Sequence, residues 1–114
     1  MGDELRIELK DGKHPGQRIV QLRGNLSLQT VPSFLKVVRA ESAPAMIVDF
    51  SGVSILDSAG VGALIQTHVA CTRNQRRLAL AGLSQRIESV LEVTRVRTLF
   101  PIYASVTEAE AQFG

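Results

Sequence analysis

The chain contains no tryptophan, one tyrosine, four phenylalanines and a single cysteine in 114 residues. Five aromatics are too few to build the base-stacking platforms of a single-strand nucleic-acid binder. One cysteine, Cys71, excludes an intramolecular disulfide and a multi-cysteine zinc site, and it fits a reducing compartment. Neither sign of charge dominates, because 13 Lys and Arg stand against 11 Asp and Glu for a net charge of +2. Through Asp57 there are 7 basic and 7 acidic residues, and from Ser58 onward 6 and 4. So even a balance argues against a dedicated nucleic-acid surface. Long hydrophobic runs are missing too. The strongest, residues 45–50, contains Asp49 and falls far short of the roughly 18 residues that a membrane helix needs. The opening Met1-Gly2-Asp3-Glu4-Leu5-Arg6 has no basic n-region, no apolar h-region, and Arg6 where a myristoylation motif wants Ser or Thr. Neither export nor lipid anchoring is expected, and the cytoplasm is the expected location.

What is present suits one small core. A hydrophobic content of 45% in a chain of this length points to a single domain over residues 1–114, folding without metal or disulfide. Residues 5–10 and 18–23 alternate apolar and polar, and the turn formers of residues 11–16 separate them, which predicts a hairpin ending at Gly24. Val31, Phe34, Leu35 and Val38 have helical spacing, with Thr30 as cap and Pro32 in the first turn. Residues 45–50 predict a central strand covered on both faces, and residues 53–56 a short apolar connection. A second helix follows the Asp57-Ser58 pair, with Val61, Leu64, Ile65, His68 and Thr72 on one face. Residues 77–82 form a strand closed by Gly, and Ser84 caps a helix bearing Ile87, Val90, Leu91 and Thr94. Residues 99–103 are the last short strand, and Ser105 with Glu108 is a capping box opening a helix that carries Ala109 and Phe113. The order predicts an α/β fold of about five strands and four helices. Its mixed sheet starts with the hairpin and continues with parallel strands joined by right-handed crossovers. The hairpin puts a strand at a sheet edge, where pairing with another copy competes with protection by the strand's own charges; a monomer is expected.

Few residues offer catalysis. Ser58 and His68 lie about 15 Å apart along one helix, which excludes a hydrolase pair. His68 and Cys71 share a helix face but have only His14 as a further soft donor, so they read as packing residues and no metal is expected. Gly60-Val61-Gly62 lacks the third glycine of a dinucleotide fingerprint because Ile65 stands there. Arg73, Arg76, Arg77, Arg86, Arg95 and Arg97 against Glu88 and Glu92 give a local +4, read first as solvated helix ends and a strand start, and second as a surface for an acidic partner or lipid headgroup.

Asp57-Ser58-Ala59-Gly60-Val61-Gly62 is the remaining candidate. Taken alone, it is a helix cap. It follows the strand expected at the centre of the sheet, however, and open sheets carry functional groups beyond the carboxyl ends of their strands. Gly60 and Gly62 each cost about 1 kcal/mol against Ala in a helix, a cost tolerated where backbone must approach something closely.

At these residues the sequence resembles the STAS domain family, and within it the single-domain anti-sigma factor antagonists, over nearly the whole chain. The stretch Ile47-Val48-Asp49-Phe50-Ser51-Gly52-Val53-Ser54-Ile55-Leu56-Asp57-Ser58-Ala59-Gly60-Val61-Gly62-Ala63-Leu64 is similar to the family's strand and Asp-Ser-Ser-Gly loop, supported by residues 80–84 and 99–103. The resemblance implies a regulatory binding module with no catalytic residue and no cofactor. Its unphosphorylated form would bind an anti-sigma factor Ser kinase and so free a sigma factor. Phosphorylation of Ser58 would switch that binding off, and a Ser/Thr phosphatase would reset it. Asp57, Ala59, Gly60, Val61 and Gly62 would form the acceptor loop and helix start, and Gly24, Asn25, Leu26, Ser27 and Ser54 the partner surface. Ala59 departs from the second Ser of the loop, and Ser27 stands where many antagonists have Asp. The alternative is a STAS subunit of a lipid-transport ATPase or stress-signalling complex in which Ser58 is not switched.

Overall fold

The computed structural model describes residues 4–113. Its strands are β1 (Leu5–Asp11), β2 (Gln17–Leu26), β3 (Ala45–Leu56), β4 (Arg77–Ala81) and β5 (Ile102–Tyr103). Its α-helices are α1 (Val31–Ala40), α2 (Ser58–Arg73), α3 (Gln85–Val93) and α4 (Val106–Gln112). The strands lie in sequence order in one sheet, antiparallel between β1 and β2 and parallel thereafter, so β3 is central as its apolar run predicts. Three successive crossovers of the same hand put α1, α2 and α3 on one face of such a sheet. The larger core lies there, with Phe34 and Val38 of α1, Leu64 of α2, and Ile87 and Leu91 of α3 packed on Val20, Met46, Val48 and Leu80. The opposite face is covered by α4, where Ala109 and Phe113 pack on Ile19, Ile47, Ala79 and Ala81. Ile19 and Val20 are therefore both interior, one on each face.

β3 is longer than its sequence suggests, because residues 53–56 continue the strand and are not a connection. The period-2 pattern fails there for a physical reason. Register shifts between Gln21 and Arg23 and between Gly24 and Asn25 each place an extra β3 residue opposite β2. Every such bulge resets which side of the sheet the next residue faces. Phe50, Val53 and Leu56 consequently all point inward, three residues apart, while the residues between them are exposed. β4 pairs with β3 only from Ala45 to Asp49, so this bulged half projects past its neighbour on that side.

Smaller differences have local causes. The last strand is confined to Ile102–Tyr103, because residues Arg97–Leu99 form a 3-10 turn and Pro101 intervenes. Thr30 precedes α1 as expected, but its hydroxyl serves the preceding loop in place of the helix. On α2, Cys71 and Thr67 are buried while Thr72 is exposed. Ser84 and Ser105 cap α3 and α4 by accepting from Ile87 N and Glu108 N, and Phe113 sits just beyond α4. No helix among the described residues is long and apolar enough to cross a membrane.

Candidate functional site

The bulged end of β3 delivers the chain to α2 beyond the carboxyl end of the sheet's central strand. Asp57 is extended and caps the helix: its Oδ1 accepts from Gly60 N at 2.9 Å and its Oδ2 from Leu28 N at 3.0 Å. The cap is therefore Asp57, not Ser58. Both residue types cap well, and the extended conformation at Asp57 is what turns its carboxylate back over the first turn. Ser58 is the first helical residue, exposed, and its hydroxyl makes none of the bonds that fix the loop. Val61 N is satisfied by Asp57 O at 2.9 Å, which leaves the N–H groups of Ser58 and Ala59 as the free donors of the first turn.

Gly60 and Gly62 have different reasons to be glycine. A Cβ on Gly60 would lie 2.4 Å from the Leu26 carbonyl oxygen and 2.7 Å from Leu56 Cδ1, so the start of α2 can sit against β2 only without one. A Cβ on Gly62 would meet nothing within 4 Å.

The second wall of the site is the chain leaving β2. Gly24 has φ of +121° and lies so close to Glu4 that a side chain is excluded. Leu26 has its side chain in the core, and its carbonyl accepts from Asp57 N at 3.3 Å. Thr30 Oγ1 donates to Asn25 O at 2.7 Å and accepts from Ser27 N at 3.0 Å, while Ser27 Oγ donates to Gln29 Oε1 at 3.2 Å. This tight turn buries Ser27 and Thr30 and turns Leu28 outward at 68% exposure. Ser54 and Ile55 of β3 are exposed as well, Ile55 at 46%. The structure thus gathers Gly24, Asn25, Leu26, Ser27 and Ser54 at the same end of the sheet as Asp57, Ser58, Ala59, Gly60, Val61 and Gly62. It adds two apolar side chains that the pattern of the sequence did not single out. Leu28 is anchored to the loop through its own N–H, and Ile55 lies two residues ahead of Asp57. The available signal was an Ile and a Leu each outside any buried periodicity.

The other candidates lie elsewhere. His14 is in the β1–β2 turn, at the opposite end of the sheet. His68 packs edge-on against Phe100 with ring centroids 5.5 Å apart, and Cys71 is buried. Burial pushes the Cys71 thiol pKa up, and the nearby Arg76 charge partly offsets this. Among the described residues, no three or more His, Cys, Asp or Glu side chains are grouped to hold a metal. The arginines are dispersed: Arg97 pairs with Glu88 at 2.9 Å, Arg76 Nε donates to Ala43 O at 2.8 Å, and the Arg77 guanidinium lies 4.5 Å from the centre of the Phe113 ring.

The chain as a whole has counterparts among known proteins. An anti-sigma-B factor antagonist of Staphylococcus epidermidis is 30% identical over 101 residues, covering 86% of this chain and 94% of its own. The crystal structure of an anti-sigma factor antagonist from Mycobacterium paratuberculosis superposes with a TM-score of 0.86 at 22% identity, covering 97% of this chain and 95% of the other. The Bacillus cell fate determinant SpoIIAA, in its phosphorylated form, gives a TM-score of 0.74 at 18% identity, covering 96% and 100%. At these identities the two structures establish the fold. The STAS domain itself matches residues 8–109, and with that match the chain belongs to the STAS domain family.

Proposed function

We propose that the chain is an anti-sigma factor antagonist whose partner is an anti-sigma factor Ser kinase and whose switch is phosphorylation of Ser58, acting in the cytoplasm and reset by a Ser/Thr phosphatase. The observation that carries this reading is the division of labour at the start of α2. Asp57 does the capping, so the Ser58 hydroxyl stands exposed and uncommitted at the same end of the sheet as two exposed apolar side chains, Leu28 and Ile55. The kinship with antagonists supports the partner class.

Phosphate adds about −1.5 to −2 charge at pH 7. On Ser58 it would have the two free N–H groups of the first turn and the positive end of the helix dipole beside it. The fold then changes little, and the effect falls on the partner. A dianion set against an apolar contact must be desolvated or repelled, and a loss of about 4 kcal/mol is roughly a thousandfold in affinity.

The test compares Ser58→Ala and Ser58→Asp baits in a lysate of the source organism, the Asp form carrying about half the charge of phosphoserine. The Ala bait alone is expected to retain a kinase-fold anti-sigma factor. That protein, given ATP, is expected to phosphorylate the wild-type chain and leave Ser58→Ala unmodified. Retention of one set of transporter or stress-complex subunits by both baits would overturn the switch and favour a non-switching STAS subunit.

A further inference from the structure

The sheet ends on an unpaired edge. Among the described residues β1 bonds to β2 alone, so the backbone groups along its other side have no partner strand there. Natural edges are commonly guarded by proline, a bulge or an inward charge. β1 holds no proline, and its register with β2 runs unbroken from Leu5 opposite Gly24 to Asp11 opposite Arg18, so its guard against pairing is the charge it carries. Leu5 and Ile7 face the core side but are only half-buried, and Leu9 is 48% exposed beside α1. The other face carries Arg6, Glu8 and Lys10, with Glu4 just before the strand. Among the described residues none of these four is in an ion pair. Arg6 even stands opposite Arg23 across the hairpin, a like-charge pair that weakens it.

We propose that β1 pairs antiparallel with β1 of a second copy, with Ile7 opposite Ile7. Charge selects this register. In an antiparallel pair, residues whose N–H and C=O point outward must meet residues of the same kind, so alternative registers slide in steps that keep each side chain on its own face. Centred on Ile7, Arg6 of each copy lies opposite Glu8 of the other, Glu4 opposite Lys10, and Leu5 opposite Leu9. Centred on Arg6, two arginines meet and Glu4 faces Glu8. Centred on Glu8, that residue meets itself and Arg6 faces Lys10. Centred on Leu9, Glu8 faces Lys10 and the overlap is equal, but Ile7 is set against Asp11 and Arg6 against the uncharged Gly12. The charges that bar the Arg6-centred and Glu8-centred registers are the ones that admit this one, and the proposed pairing departs from the expectation of a monomer. The paired sheet keeps the helices α1–α3 of both copies on one face and sends the two Ser58 loops to opposite ends.

A single strand pair buries little surface, so the dimer belongs to the weak class, below roughly 1,200 Å². Sedimentation velocity on the intact chain, from about 10 µM to about 1 mM, is expected to show a reversible monomer–dimer equilibrium. Arg6→Glu or Glu8→Arg alone should weaken it at least about tenfold, and the double variant should return to within about threefold of the wild type. Thermal melts monitor folding; Arg6→Glu sets an opposite charge against Arg23 and should not loosen the hairpin. If either single variant fails to fold, Lys10→Glu, which sets like charges against Glu4, takes its place, paired with Glu4→Lys as rescue. A wild-type chain monomeric at every concentration overturns the proposal. So does a dimer indifferent to the single reversals, or a double variant that is not rescued.

Discussion

The two ends of the sheet use their polar side chains in opposite ways. Where β2 and β3 begin, those side chains seal the fold. Gln17 is buried; its amide donates to the carbonyls of Glu110 and Phe113, and its oxygen accepts from His14 N. Beside it Arg18 bridges Asp11 at 2.8 Å and Glu41 at 3.1 Å, and Arg76 ties to Ala43. Where β2 and β3 finish, Asp57 and Thr30 do the tying, and Ser58, Leu28 and Ile55 remain over. The Ser58 hydroxyl is left free because its neighbour in sequence, Asp57, takes the structural task.

This contrast can be broken in graded steps. Gly60→Ala should have the largest effect, a loss of about 3 kcal/mol and about 10 °C in melting temperature, because the new methyl group meets a backbone oxygen that cannot step aside. Calorimetry checks it. Gln17→Ala at the sealed end strands two carbonyls and one N–H, and should cost about 2 kcal/mol while leaving the rate of Ser58 phosphorylation unchanged. Asp57→Ala should cost less stability, about 1.5 kcal/mol, yet slow phosphorylation far more than Gln17→Ala does, since it releases both Leu28 and the first turn of α2. Equal effects of these two variants on phosphorylation would erase the distinction between the ends. Gly62→Ala is the smallest and has the opposite sign, a gain of about 0.5–1 kcal/mol seen as a slightly raised melting point, because open space surrounds it.

Most of the architecture was legible because its signals were local. The spacing of Val31, Phe34 and Val38, the apolar run around Ile47, and the Ser residues ahead of α3 and α4 each act within one turn or one strand. The bulges in β3 were not legible, since they arise from pairing with β2 and leave only a disturbed alternation after Asp49. Asp57 and Ser58 are both good caps, and only the backbone angles decide between them. Gly60 and Gly62 look alike in sequence, and the approach of Leu26 from a different element separates them. The loop from Asp57 to Gly62 was singled out by its position after the central strand and by its resemblance to a family motif; Leu28 and Ile55 escaped because an outward apolar residue has no periodicity to betray it.

The two bulges have a bearing on crosstalk. In a regular strand each outward residue is fenced by inward ones, so altering the surface disturbs the core every second position. Between Phe50 and Leu56 the outward residues come in adjacent pairs, Ser51 with Gly52 and Ser54 with Ile55, while three anchors hold the segment. The outer pair nearest Ser58 can therefore diverge without unsettling the fold. On the function proposed above, rewriting those two letters changes the surface a partner meets while the three anchors stay in place.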